Sequence, residues 1–171
     1  MKMKKLSVVL LSLLAAVMVL SGCGGGAQDN DSAESAENGA KNSDQAILIV
    51  SFGTSYNDSR DKTIGAIETA AAEAFPEYEV RRAFTSQIII DKLKERDNLE
   101  IDNVTEALDR AVADGIKTLI VQPTHLMNGY EYTDLKEELE TYRDKFEKIA
   151  LGEPLLTSEE DFRAVAETIT S

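Results

Sequence analysis

His125 is the only imidazole in this 171-residue chain and Cys23 the only thiol, so its chemistry must be built from very few reactive groups. A neutral imidazole suits a borderline transition metal, or a haem iron whose macrocycle already supplies four nitrogens. A lone histidine is just as readily a satisfied or exposed side chain. One histidine and one cysteine compose no paired-histidine, zinc–cysteine or iron–sulfur site within a single chain, and no internal disulfide. Nor can a Ser–His–Asp or Cys–His nucleophile set be assembled, because no partner for His125 can be argued from its place in the sequence.

His125 closes the run Pro123-Thr124-His125 and stands just before Asn128-Gly129. Two further hydroxyl-rich segments invite comparison: Ser51-Phe52-Gly53-Thr54-Ser55 and Thr85-Ser86. Glycine lets a backbone approach a ligand closely, and hydroxyls with free amides hold carboxylates or carbonyls without a formal charge. The first segment lacks the lysine of a P-loop and the further glycines of a dinucleotide fingerprint. As a tight strand-to-helix turn it needs no ligand at all. Arg81 and Arg82 are neighbours on a strand and so point to opposite faces. Either one clamps a ligand carboxylate or both simply cover helices and meet solvent.

The elements that must position these residues follow from apolar patterning. Residues 46–50 (AILIV) form a continuous apolar run, which marks a strand covered on both faces, as in a parallel sheet. Residues 79–84, 117–122 and 148–151 are the other expected strands. A helix is expected from about Asp58 to Pro76, with Ile64, Ile67, Ala71 and Ala74 inward. Ser86 caps a second carrying Ile89, Ile90 and Leu93, and residues 103–114 form a third with Val104, Ala107, Leu108, Ala111 and Val112 on one face. Tyr132, Leu135, Leu139, Tyr142 and Phe146 make a long stripe on a fourth. A last helix from Ser158 is expected to bury Phe162, Val165 and Ile169. Acidic positions such as Glu137, Glu138 and Glu140 read as solvated. The repeated βα order calls for an α/β fold, a parallel four-stranded sheet with helices on both faces. Ligands of such sheets bind at the carboxyl ends of the strands, where the three polar segments would meet.

Composition narrows the partners. Apolar residues make up 43% and charged residues 29% of the chain, which suits one globular domain. Residues 1–22 hold three lysines and no acid, leaving 15 basic against 31 acidic side chains and a net charge of −16. Such a surface argues against nucleic-acid binding. The basic start and the 15-residue apolar run 6–20 read as an export signal, too short to span a bilayer. Leu20-Ser21-Gly22-Cys23 looks like a bacterial lipobox, in which Cys23 is acylated and anchors the mature protein on the extracytoplasmic or periplasmic side. Residues 23–45 then read as a flexible tether, and 46–171 as the folded lobe.

Residues 46–56 (AILIVSFGTSY) resemble the opening of the anaerobic-type sirohydrochlorin cobaltochelatases, the CbiK family. So do Arg82 to Ser86 with Ile89, Lys92 and Leu93, then Val121-Gln122 to His125 with Asn128-Gly129 and Glu131-Tyr132, and Leu151-Gly152 with Pro154-Leu155-Leu156. The resemblance implies two similar α/β lobes facing across a cleft, and insertion of cobalt(II), the substrate metal, into sirohydrochlorin. It also implies that the metal-handling histidines belong to a second lobe, leaving no catalytic residue here and an inactive isolated chain. Carried over as tetrapyrrole contacts are Ser51, Phe52, Gly53, Thr54, Ser55, Arg82, Phe84, Thr85, Ser86 and Glu131. His125 is the position for a metal or haem axial ligand. Two functions stay open: a half-length cobaltochelatase completed by a second lobe or by another copy, and a lipid-anchored haem- or metal-binding module without catalysis.

Overall fold

The computed structural model describes residues 44–170; the export signal and Cys23 lie outside the described residues, as does all but the end of the expected tether. β1 (Gln45–Ser51) takes in the last tether residue. Its apolar run is buried throughout from Ala46 to Val50: it is an interior strand, paired on its two edges with parallel neighbours, β2 (Glu79–Phe84) and β3 (Thr118–Pro123), and covered by helices on its faces. β4 (Lys148–Leu151) pairs with β3, giving a wholly parallel sheet of order β2-β1-β3-β4. β3 runs one residue later than its apolar run suggested and ends on Pro123, which has no N–H to continue a ladder.

Alternation along the strands sends side chains to two cores. Ala46, Leu48 and Val50, with Ala83, face a core shared with α4 (Val104–Ala113) and α5 (Tyr130–Glu140). Phe84, next to Ala83 and therefore on the opposite face, packs with Ile64 and with Ile90 and Leu93 of α3 (Gln87–Asp97). Each such leucine or phenylalanine contributes about 1.5–3 kcal/mol on full burial. Helices thus cover both faces. Asn103 starts α4 with a reciprocal capping box: its side chain accepts from the Glu106 amide at 3.0 Å, and its own amide donates to the Glu106 carboxylate at 2.9 Å.

Three helical expectations need correction. The first helix is α1 (Asn57–Arg60), a π-helical turn (Asp61–Gly65) and α2 (Ala66–Ala74). Ile64 is buried, but Ile67 and Ala74 are exposed and Glu68 turns inward instead. An ion pair with Arg82, described below, decides that rotation. The stripe through Tyr142 and Phe146 is not one helix: α5 stops at Glu140, a 3₁₀ turn (Arg143–Lys145) follows, and Phe146 enters the core from extended backbone. Finally, α6 (Glu159–Thr170) has no buried residue; Phe162 is 54% and Ile169 78% exposed, and Val165 is half-buried.

Candidate functional site at the carboxyl ends of the strands

In the order β2-β1-β3-β4 the chain changes direction of growth between β1 and β3, the switch point where open parallel sheets bind ligands. There Thr124 Oγ1 and the buried Ser51 Oγ are hydrogen-bonded at 2.9 Å. The Thr85 amide donates to the Ser51 carbonyl at 2.9 Å, and the Ser86 amide to the Phe52 carbonyl at 3.3 Å. The three polar segments expected to meet do meet. Gly53 has φ +97°, and a Cβ there would lie 2.6 Å from the Phe84 ring, so both the backbone and the contact demand glycine. Arg96 donates to the Ser55 carbonyl at 2.7 Å and to Asn57 Oδ1 at 3.0 Å, tying the loop to α3; the Tyr56 amide donates to Thr54 Oγ1 at 3.3 Å.

The segment after β3 is held by the segment after β4. The Leu155 amide donates to the His125 carbonyl at 3.1 Å and the Leu156 amide to the Leu126 carbonyl at 2.9 Å. Around this whole end stand exposed apolar side chains: Phe52 and Tyr56 after β1, Ile88 after β2, Leu126, Met127 and Tyr130 after β3, and Leu155 after β4. Exposed apolar residues also occur singly elsewhere, such as Ile67, Phe75 and Val112, which is ordinary, but seven on the segments that follow the four strands mark a candidate contact surface.

His125 is neither exposed nor satisfied. Its side chain is 7% exposed, and neither ring nitrogen has a hydrogen-bond partner. It does have a neighbour: Nε2 lies 3.5 Å from Glu131 Oε2. Glu131 sits in the first turn of α5, where the helix dipole favours a negative charge. The sequence supplied no partner for His125 because this pairing depends on how residues 126–130 fold back.

Both arginines are ion-paired within the lobe. Arg82 makes a two-pronged ion pair with Glu68, Nε donating to Oε1 at 2.6 Å and Nη2 to Oε2, while its guanidinium lies 5.9 Å from the Phe84 ring centroid. The Glu68 hydrogen bonds hold the Arg82 pKa above its ordinary value against the opposing pull of burial. Arg81 is paired with Glu79 at 2.9 Å and Asp114 at 2.8 Å.

Beside β2 an open cleft of about 380 Å³ is lined by Phe84, Thr85 and Gln87, by Asn103, Val104 and Thr105 at the start of α4, and by Glu131, Asp134, Leu135 and Glu138 on α5. Asp134 and Glu138 are additions to the expected set. Their spacing from Glu131, three and seven residues, placed them on its helix face, but Glu138 read as solvated. It is half-buried and accepts from Thr105 Oγ1.

The same arrangement of sheet and helices recurs in a solved structure, the putative cobalamin (vitamin B12) biosynthesis CbiX protein from Marinobacter aquaeolei VT8, with a TM-score of 0.50 at 16% identity over 74% of this chain and 94% of that one. At that identity the likeness is one of fold, and it sets the class: an α/β lobe built on a parallel sheet. The particular family follows from the sequence match. Residues 45–171 fit the family model described as cobalt chelatase (CbiK), and the chain belongs to that family. Among its relatives, the sirohydrochlorin cobaltochelatase of Salmonella typhimurium is 42% identical over 118 residues, 69% of this chain and 45% of that protein. The sirohydrochlorin cobaltochelatase CbiKC of Nitratidesulfovibrio vulgaris is 32% identical over 124 residues, 71% and 43% respectively. The chain spans less than half the length of these relatives.

Proposed function

We propose that the chain is one lobe of a sirohydrochlorin cobaltochelatase, the wall against which the macrocycle lies while cobalt(II) is inserted. The observation that carries this reading is the carboxyl end of the sheet, where an apolar rim surrounds a hydrogen-bonded seam of hydroxyls and amides. A planar tetrapyrrole is apolar on its faces and acidic at its edge. Phe52, Leu126, Met127 and Tyr130 suit the faces, each 100 Å² of covered apolar surface contributing about 2.5 kcal/mol. Hydroxyls and backbone amides suit the carboxylates. In this role the lobe orients the ring and excludes water from one side; a second lobe, from a longer polypeptide or another copy, supplies the imidazoles that accept pyrrole protons. The relatives, more than twice the matched length, support that division.

The test is to titrate sirohydrochlorin into the full chain by absorbance and to assay cobalt insertion in parallel. Binding without turnover is expected, with turnover appearing once a second lobe is added. Absence of macrocycle binding refutes the reading, and full turnover by the chain alone refutes the need for a second lobe. A haem-binding module using His125 as axial ligand fits less well, because both ring nitrogens are closed off from a surface that a macrocycle could reach. We also propose that the protein is exported and lipid-anchored through Cys23, on the support of the Leu20 to Cys23 pattern; a palmitate-analogue label lost in Cys23→Ala checks it.

A further inference from the structure

We infer that Gln122 is a positioning residue for the macrocycle: its side-chain amide latches the segment after β4 to the end of β3, and so holds Leu126, Met127 and Leu155 where a flat ligand can lie on them. The role assigned to it rests on the chelatase reading. The first observation is a polar side chain in an apolar place. β3 is an interior strand, and Gln122 pairs in register with the buried Ile49. A half-buried glutamine costs stability there unless its amide is used. It is used: Nε2 donates to the Pro123 carbonyl at 2.9 Å and reaches the Glu153 carbonyl at 3.4 Å. Both partners are acceptors, so only the NH₂ end of the amide can face them. One side chain thereby ties the last residue of β3 to the turn that follows β4.

The second observation is the fit of Gly152 against that amide. A Cβ at this position would lie 2.4 Å from Gln122 Oε1 and 3.0 Å from its Cδ. Gly152 is not in the left-handed region that Gly53 and Gly115 occupy, so the glutamine, not the backbone, excludes a side chain here. The same glycine is pinned at both its polar groups: its amide donates to the Val121 carbonyl at 2.8 Å, and its carbonyl accepts from the Tyr132 hydroxyl of α5 at 3.3 Å. Beyond the latch the two segments run side by side, with Met127 and Leu156 in an isolated parallel bridge. The third observation is that Leu126, Met127 and Leu155 are each more than half exposed. Core packing does not fix such side chains, so their placement follows the backbone that the latch holds. A binding surface needs that placement to within about 0.5 Å.

The experiment uses the full-length chain and two readouts. Met127 is the only methionine beyond residue 18, so an isotope label on the methionine methyls, assigned with Met127→Leu, reports the rim by NMR. Titration with sirohydrochlorin reports its use. Gln122→Glu keeps the length of the side chain and removes its N–H donors, while Gly152→Ala pushes the flexible end of the glutamine aside. Each should shift or broaden the Met127 methyl resonance and weaken sirohydrochlorin binding about tenfold, with the melting temperature little changed. In Gln122→Ala with Gly152→Ala the new methyl group enters the space the glutamine left, so packing returns without the latch and binding should stay weak. Lys94→Gln, on the exposed side of α3, should match wild type in both readouts. A Met127 resonance that stays in place in both single variants overturns the inference, whatever happens to binding. Wild-type affinity in Gln122→Glu also overturns it, and so does affinity that returns with stability in the double variant, which would leave Gln122 a merely structural role. If the wild-type chain binds no sirohydrochlorin, it is the chelatase reading that has failed, and the Met127 resonance still decides whether the latch places the rim.

Discussion

α4 and α6 are both amphipathic, ten and twelve residues long, and equally convincing as sequence. α4 buries Val104, Ala107, Leu108 and Ala111 against the sheet, while α6 buries nothing and leaves Phe162 and Ile169 in solvent. Periodicity names the apolar face of a helix, then, but not whether anything lies against it. The difference extends to how each helix is held. α4 draws its stability from tertiary packing, whereas α6 relies on local devices, since short helices on their own are marginal in water.

Substitutions can break or sharpen this contrast. The largest effect is expected at Leu108→Ala, which empties a fully buried site and should cost about 2–5 kcal/mol in denaturant unfolding. A loss near zero would mean that α4 is no better anchored than α6. Asn103→Ala removes the capping box and should cost about 1 kcal/mol. Next come two titrations, one for each helix. Desolvation, aided by its hydrogen bond to Asp109 on α4, pushes the Tyr142 phenol up to about 12. The folded state holds that proton more tightly than the unfolded state does, so this contribution is complete below pH 10 and should disappear as pH rises toward 12; pH-dependent melting measures it.

Asp161 is held down to about 2 by hydrogen bonds from the Thr157 and Ser158 hydroxyls and amides. Its contribution is complete above 3.8 and fades as pH falls through about 2, and NMR should show α6 fraying there without a matching change in the core. The smallest effect belongs to Phe162→Ala, within about 0.5 kcal/mol of wild type for the chain by itself. A cost above about 2 kcal/mol would show that the stripe is covered in solution.

Much of the sheet was legible because a two-sided parallel strand writes itself as an unbroken apolar run. Glu79–Phe84 and Lys148–Leu151 were bounded correctly, and the meeting of Ser51, Thr85 and Thr124 follows once the strands are parallel. What escaped was decided by long-range pairs. Ile67 was assigned inward on apolarity, yet Arg82, fourteen residues on from Glu68, recruits that glutamate and sets the face of α2. Phe146 kept helical spacing without being helical, because burial can be reached from extended backbone as well. The proximity of Glu131 to His125 needs a loop geometry that no residue pattern announces.

One consequence of the Arg82–Glu68 clamp concerns how an acidic ligand would be captured. With that guanidinium paired to Glu68 and the chain net acidic, a polyanion is best recognised by fixed dipoles at touching distance. Attraction of that kind is hardly dimmed by dissolved ions, which screen charges beyond about 8 Å. Dissolved ions also screen the repulsion between this acidic lobe and an acidic ring, so grip on a carboxylated ring should hold or tighten as ionic strength rises, and the selectivity of the surface becomes a matter of shape before it is a matter of charge.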